Sequence, residues 1–289
     1  MNTYLILSSF ILFMLYNNKS TNININNIKE ITKKISICRP VESSNLILVK
    51  NIIIKYIKDI PGFTVKLQKF TRIIYNKSYS FSNIIASNTN KNKNLTEILL
   101  TAHIDSKNID GAIDSATSIA LIIELIRKII NIYPDYPISI VLFDGEEAID
   151  GKWSTENTLS GSTYFVNKLK SNKNMLVFVF DLIGGSIKNN KIYPFASNIS
   201  SLPILNELVK INKHLYPEQM IFNNIISSRI ISDDHLPFMN NNIPFVHIIP
   251  DVFPKQHHKI EDNYNNINWT YIDIFGNVFL TYLLKKSIF

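Results

Sequence analysis

Residues 138–147 read ISIVLFDGEE. The apolar run Ile138 to Phe143, broken only by Ser139, leads straight into a turn carrying Asp144, Glu146 and Glu147. A short apolar run closed by a glycine-containing turn has the pattern of a strand buried on both faces. Two other stretches share the design: Glu97 to Ala102 (EILLTA) runs into His103-Ile104-Asp105, and Leu176 to Asp181 (LVFVFD) ends on an aspartate. Between the first two such strands, Ser115 to Ile132 repeats its apolar residues at helical spacing. Strands alternating with helices imply a mostly parallel sheet covered on both faces. The fold class that follows is α/β, a three-layer α/β/α sandwich around a central mixed, mostly parallel twisted sheet. In such sheets ligand groups gather beyond the carboxyl ends of the strands, which is where these acidic residues fall.

Working outward, Ile28 to Ile60 reads as helical segments broken at Arg39-Pro40 and ended by Pro61-Gly62. Phe63 to Ile74 and Tyr79 to Ala86 read as strands, with the Asn-Lys run at 88–94 as the turn after them. At the N-terminus, Tyr4 to Tyr16 is an apolar run of 13 residues, the length of a signal-peptide core and short for a membrane span. No Lys or Arg precedes it and no small-x-small cleavage site follows, so cleaved signal and retained anchor both stay open. Residues 1–27 are therefore read as signal or anchor plus a polar spacer, and 28–289 as a single catalytic domain. Entry to the secretory pathway (ER/Golgi lumen), secreted or membrane-anchored, is the expected location. Sequons at Asn76, Asn94, Asn198 and Asn268 are compatible with it.

Composition excludes little beyond this. The 289 residues are 46% hydrophobic with a net charge of +7, and the basic residues are dispersed. No basic stripe interleaves with aromatics as a nucleic-acid groove would require. The single cysteine, Cys38, has no partner for an intramolecular disulfide.

The chemistry must come from His, Asp and Glu. A catalytic zinc takes three such ligands and keeps one position open. Taken singly, a strand-end Asp is usually a helix cap and a lone His is usually structural; the case rests on several of them ending successive strands. Glu146-Glu147 is the sharpest pair: two adjacent carboxylates after a buried strand repel unless a cation holds one, leaving the other for acid/base work.

SFSNII (80–85), HIDSK (103–107), GAIDSA (111–116), LFDGEEA (142–148), WS (153–154), LSGS (159–162), FDLIGG (180–185), SDDHLPF (232–238) and PFVHIIPDVFP (244–254), followed by His258, occur in this order. Together they resemble the glutaminyl cyclase family, relatives of the zinc aminopeptidases, over most of the chain from about residue 36. The resemblance implies a zinc aminopeptidase-like fold and a zinc-dependent enzyme. That enzyme would cyclise N-terminal glutamine of peptides and proteins to pyroglutamate, releasing ammonia. It further implies one Zn2+ held by Asp114, Glu147 and His258, with Glu146 as general acid/base. Asp181 and Asp233 would share a carboxylate network with Glu146, and Trp153, His247, Phe253 and His257 would line the substrate pocket.

The chain departs from the family in four ways. Only ten residues separate His103 from Asp114, so the loop there is trimmed. The span Ala148 to Trp153 is one residue longer. His257 stands where animal relatives carry tryptophan, which predicts weaker substrate binding at acidic pH if it protonates. The cysteine pair of animal relatives is replaced by Ala102 and Ile119. Two other readings stay open. One is a two-zinc aminopeptidase using His103, Asp114, Glu147, Asp181 and His258; the other is a non-catalytic binding protein.

Overall fold

The computed structural model describes residues 22–169, 174–185, 201–222, 224, 231–250 and 252–286. The apolar run Tyr4 to Tyr16, Asn198 and Asp251 lie outside the described residues. The elements in chain order are α1 (Ile25–Ile35), α2 (Ser44–Lys58), β1 (Phe63–Ile74), β2 (Lys77–Asn88), β3 (Glu97–His103), α3 (Thr117–Ile132), β4 (Ile138–Phe143), α4 (Ser160–Asn167), β5 (Met175–Phe180), α5 (Leu202–Leu215), α6 (Leu236–Asn240), β6 (Phe245–Ile248) and α7 (Trp269–Lys286).

The strands form one six-stranded sheet in the order β1-β2-β4-β3-β5-β6. The pairs β4–β3, β3–β5 and β5–β6 are parallel, whereas β1–β2 and β2–β4 are antiparallel. The sheet is thus mixed and mostly parallel, as expected. Strand periodicity distributes its side chains between two cores. Ile98, Leu100 and Ala102 of β3, Ile138, Ile140 and Leu142 of β4, and Phe178 and Phe180 of β5 enter the larger core, beneath α1, α2, α3, α5 and α7. Leu99, Val141, Phe143, Val177 and Val179 enter the smaller one, closed by Phe165 of α4 and Phe238 of α6. That double burial is why these strands read as continuous apolar runs.

Local chemistry sets the boundaries. The hairpin β1–β2 closes on Tyr75 and Asn76, both at positive φ (48° and 62°), the two-residue turn whose twist matches the strands. Pairing therefore starts at Lys77, ahead of the expected Tyr79. The helix read from Ser115 begins at Thr117, because Asp114 and Ser115 have non-helical backbone. The expected spacer over 24–27 is instead the start of α1. Asn24 caps it by accepting from the Asn26 amide, and the Asn24 N–H donates to Glu124 Oε1 at 2.9 Å. Ile23 is buried, with its N–H donating to Asn277 Oδ1 at 3.0 Å. The packed body thus reaches back beyond residue 28. Among the described residues no helix is long and apolar enough to cross a membrane.

α7 carries much of the larger core. Phe279 sits edge-on to Phe178 and Phe180, each at 5.0 Å between centroids, and is fully buried. Phe279→Ala is expected to cost about 3–5 kcal/mol, read as a lower urea midpoint with an unchanged slope.

Candidate active site

The chemical residues sit where the parallel strands end. His103 ends β3, and Asp144 to Glu147 follow β4. Asp181 follows β5, and Phe253 to His258 follow β6. The turn after β4 is held by Asp105, which is fully buried. Its Oδ1 accepts from the N–H groups of Gly145 and Glu146 at 3.0 and 3.1 Å, and its Oδ2 from that of Glu147 at 3.1 Å. Gly145 has φ 78°, and a Cβ there would meet the Phe81 ring at 2.4 Å, so glycine is required. Asp144 is anchored away from the site, by Lys50 Nζ at 2.5 Å and by the Ser82 N–H at 2.5 Å. Burial, opposed by Lys50, pushes its carboxyl up to about 6.

Three side chains then converge. His258 Nε2 lies 3.5 Å from Asp114 Oδ2 and 3.4 Å from Glu147 Oε1. Ligands about 2.1 Å from a tetrahedral zinc stand about 3.4 Å apart, so two edges of such a site are already at the right length. Both Glu147 oxygens are buried without a hydrogen-bond partner among the described residues. Their neighbours are Lys107 Nζ, 3.7 Å from Oε2, and His258 Nε2, 3.4 Å from Oε1; a buried carboxylate held only by such longer ion-pair contacts fits a cation ligand. Without an ion, burial and the Asp114 charge raise the Glu147 pKa; a bound cation reverses that shift. Lys107 Nζ stands behind the site, 3.0 Å from His258 Nδ1.

His103 binds the other side of Asp114. Its Nε2 lies 2.8 Å from Asp114 Oδ1 and 3.4 Å from Asp181 Oδ1, and its Nδ1 lies 3.1 Å from the Asp105 carbonyl. Burial disfavours its charged form, but the three aspartates outweigh burial and hold the imidazole pKa well above the usual value. Burial alone would raise Asp114; the His103 hydrogen bond and charge pull it well below the ordinary carboxylate range instead. Glu146 moves the opposite way. Burial comes first and the neighbouring Glu147 charge adds to it, so Glu146 is raised well above a normal glutamate. Asp181 is pushed up to about 7 by burial and by Asp114 and Asp233. Groups with pKa values driven apart in this way are what acid/base chemistry needs.

A cavity of about 280 Å³ opens onto these groups, lined by Asp114, Glu146, Asp181, Asp233 and His258 on the floor and by Trp153, Phe253 and His257 among its walls. Of the residues expected in the pocket, His247 is the one placed elsewhere. It is fully buried behind Asp233, with Nε2 2.5 Å from Asp233 Oδ2 and its ring stacked on His235 at 4.0 Å. Its position on β6 points it into the layer below the cavity, where it pairs with the carboxylate that faces the cavity. Trp153 keeps its wall position despite the longer loop. The loop before it turns through Gly151 N–H to Ala148 O at 3.4 Å, and Arg72 pins the following segment through the Thr155 and Thr158 carbonyls at 2.9 Å each. His257 stacks on His258 at 3.7 Å and meets Phe253 edge-on at 4.7 Å. Burial holds its pKa down to about 4, so protonation of His257, and any weakening of binding that comes with it, belongs to pH near 4 and below.

The sequence assigns no individual role to Asp105, Lys50, Arg39 or Asp262: Asp105, Arg39 and Asp262 hold backbone, Lys50 holds the Asp144 carboxylate, and none of them lines the cavity. Asp105 lies inside the HIDSK motif, and its place two residues beyond His103 was the available signal.

Residues 83–283 match the family model described as Peptidase family M28. The chain belongs to peptidase family M28. Within it, the glutaminyl-peptide cyclotransferase of Bos taurus is 29% identical over 243 residues, covering 71% of this chain and 66% of its own length. This M28 chain therefore spans just under two thirds of that curated relative. Among solved structures, the Macrostomum lignano glutaminyl cyclase superposes with a TM-score of 0.81 at 25% identity, over 91% of this chain and 89% of that one. A Zn-dependent exopeptidase from Parabacteroides distasonis has the same fold, with a TM-score of 0.77 at 20% identity over 91% and 98% of the two chains. The resemblance to glutaminyl cyclases read from the motifs is borne out, as is the fold.

The buried Lys50–Asp144 pair beneath the Glu146-Glu147 turn yields a test. Lys50→Met leaves Asp144 buried without its cation, costing about 3–5 kcal/mol where Asp144 is ionised. Because burial already raises Asp144 above its unfolded value, folding favours its protonated form, and the stability this gives is lost as pH rises through about 6. Removing Lys50 raises the pKa further, so urea unfolding should find the mutant's deficit larger at pH 8 than at pH 5.

Proposed function

We propose that this chain cyclises the N-terminal glutamine of peptides and proteins to pyroglutamate, releasing ammonia, with one Zn2+ held by Asp114, Glu147 and His258. The observation that carries the reading is the pairing of two unlike glutamates on one turn. Glu147 is buried beside His258 and Lys107 with neither oxygen hydrogen-bonded among the described residues, and Glu146, its pKa raised by burial, faces the cavity. The metal, when bound there, supplies Lewis-acid polarisation of the γ-carbonyl.

The rest is done by the chain's own residues. The substrate brings its nucleophile, the α-amine, and its electrophile, the γ-amide carbon. Glu146 accepts one proton from the α-nitrogen as the N–C bond forms and returns it to the amide nitrogen, which leaves as ammonia when the C–N bond breaks. No attacking water is consumed. Asp181 and Asp233 line the same floor and share the proton inventory with Glu146. Trp153, Phe253 and His257 enclose the side chain, and an aromatic wall favours the folded, near-attack conformer over an extended one. The apolar N-terminal run supports delivery of a catalytic domain to the secretory pathway, either released or anchored.

A second reading, the two-metal aminopeptidase, is favoured by one observation: donor atoms of His103, Asp114 and Asp181 lie within 4.8 Å of one another. Against it, His103 Nε2 and Asp114 Oδ1 are 2.8 Å apart, a direct hydrogen bond and shorter than the edge of about 3.4 Å that ligands sharing a zinc would keep.

Two measurements test the proposal. Purified protein should release ammonia from a short glutaminyl peptide, and Glu146→Gln should lower kcat by roughly 10²–10⁴-fold with zinc retained. Hydrolysis of an aminoacyl amide with no cyclisation would refute it. Elemental analysis should find near one zinc per chain; near two selects the aminopeptidase reading.

A further inference from the structure

Asp262 follows His258 on the same run of tight turns, in which Lys259 N–H donates to the Gln256 carbonyl and Asp262 N–H to the Lys259 carbonyl, both at 2.9 Å. Its side chain is fully buried and faces neither the cavity nor solvent. Oδ1 accepts from the N–H of Ile113 at 2.6 Å, the residue before the ligand Asp114, and the Asp114 amide also interacts with this carboxylate. The Asp262 carbonyl accepts from Ala112 N–H at 3.5 Å. Oδ2 has no hydrogen-bond partner among the described residues. The carboxylate is therefore committed to one segment of backbone. That segment is gripped from its other end by buried Arg39, whose Nε donates to the Ile104 carbonyl at 2.5 Å, Nη1 to Asp110 at 2.5 Å and Nη2 to Gly111 at 2.9 Å.

The consequence lies in which loops are joined. Asp114 precedes α3 and His258 follows β6, and the direct tie between their backbones described above runs through Asp262. We propose that Asp262 is a positioning residue for the metal centre, fixing the Asp114–His258 separation by bonding the backbone at Ile113. It sits one shell behind the ligands, where a partner sets ligand direction and commonly governs metal affinity by 10–100-fold. The trimmed loop between His103 and Asp114 leaves few residues to do this otherwise. This role rests on the zinc reading above.

The test is zinc affinity of the full chain, measured by competition with a chromophoric chelator, together with the rate of zinc loss to EDTA. Asp262→Ala should bind zinc about 10–100-fold more weakly and release it faster. Asp262→Asn keeps an acceptor oxygen facing Ile113 and should stay close to wild type. If the alanine variant does not fold, Asp262→Ser, which also removes the carboxylate but retains more polarity, carries the test. Wild-type affinity in the alanine or serine variant overturns the proposal, because a purely structural aspartate would alter melting temperature and not the affinity of the folded protein. An equal loss in the asparagine variant overturns it as well, since the acceptor oxygen would then be irrelevant. Failure of the zinc reading is separate: it appears in the wild-type titration, as no zinc bound.

Discussion

Three consecutive backbone N–H groups, of Gly145, Glu146 and Glu147, converge on the carboxylate of Asp105, and the rest of the site depends on that grip. A turn of this kind has no regular secondary structure to satisfy its amides, and in a buried place each unpaired amide would be costly. Asp105 satisfies all three at once. In return those amides, with His103, keep Asp105 ionised against its burial. With the backbone fixed, the two glutamates leave it in different directions: Glu146 lines the cavity, and Glu147 meets His258. Neighbours in sequence thus acquire separate environments and separate chemistry.

Charge is the second constraint. Asp105, Asp114, Glu146, Glu147, Asp181 and Asp233 are all buried around one small volume, and so many anions cannot coexist there unaided. The fold answers with graded measures. Glu146 and Asp181 hold protons more firmly than free carboxyls do, while Asp114 and Asp233 are pulled down by His103 and His247. Neither Glu147 oxygen has a hydrogen-bond partner among the described residues, and what faces them is positive or proton-bearing, His258 Nε2 at 3.4 Å and Lys107 Nζ at 3.7 Å, a setting that suits a carboxylate beside a cation.

Much of this was legible in the sequence because strands buried on both faces must be apolar throughout, so β3, β4 and β5 stand out with their polar ends attached. Glu146, Glu147 and Asp181 stand out for the same reason, whereas Asp114 and His258 are reached only through the family resemblance. What stayed hidden follows other physics. α7 is buried all round, so it lacks the one-sided stripe by which helices are recognised. The first turn of α1 reads as polar spacer, because the Asn24 side chain goes to capping the Asn26 amide and that of Asn27 to Glu124. His247 was assigned to the pocket from its motif alone, and the parity of β6 turns it beneath Asp233. Asp105 and Asp262 act on backbone amides, whose positions exist only once the chain has folded.

His103 shows how one set of residues can serve two chemistries. Its Nε2 meets Asp114 and its Nδ1 meets the Asp105 carbonyl, so both ring nitrogens face acceptors. An imidazole flanked in this way is stabilised as imidazolium, in line with its raised pKa. It then supplies, beside Asp114 and Asp181, positive charge that a second ion would otherwise bring. A two-metal hydrolase uses that second position to help prepare its attacking water; a reaction whose substrate carries its own amine needs no water. In the reading proposed above, a proton on His103 would offset the charges of Asp114 and Asp181 and leave the single cation for the carbonyl. On the one-zinc reading proposed above, what would separate this site from a two-metal one is less which residues are present than whether His103 holds a proton or a metal.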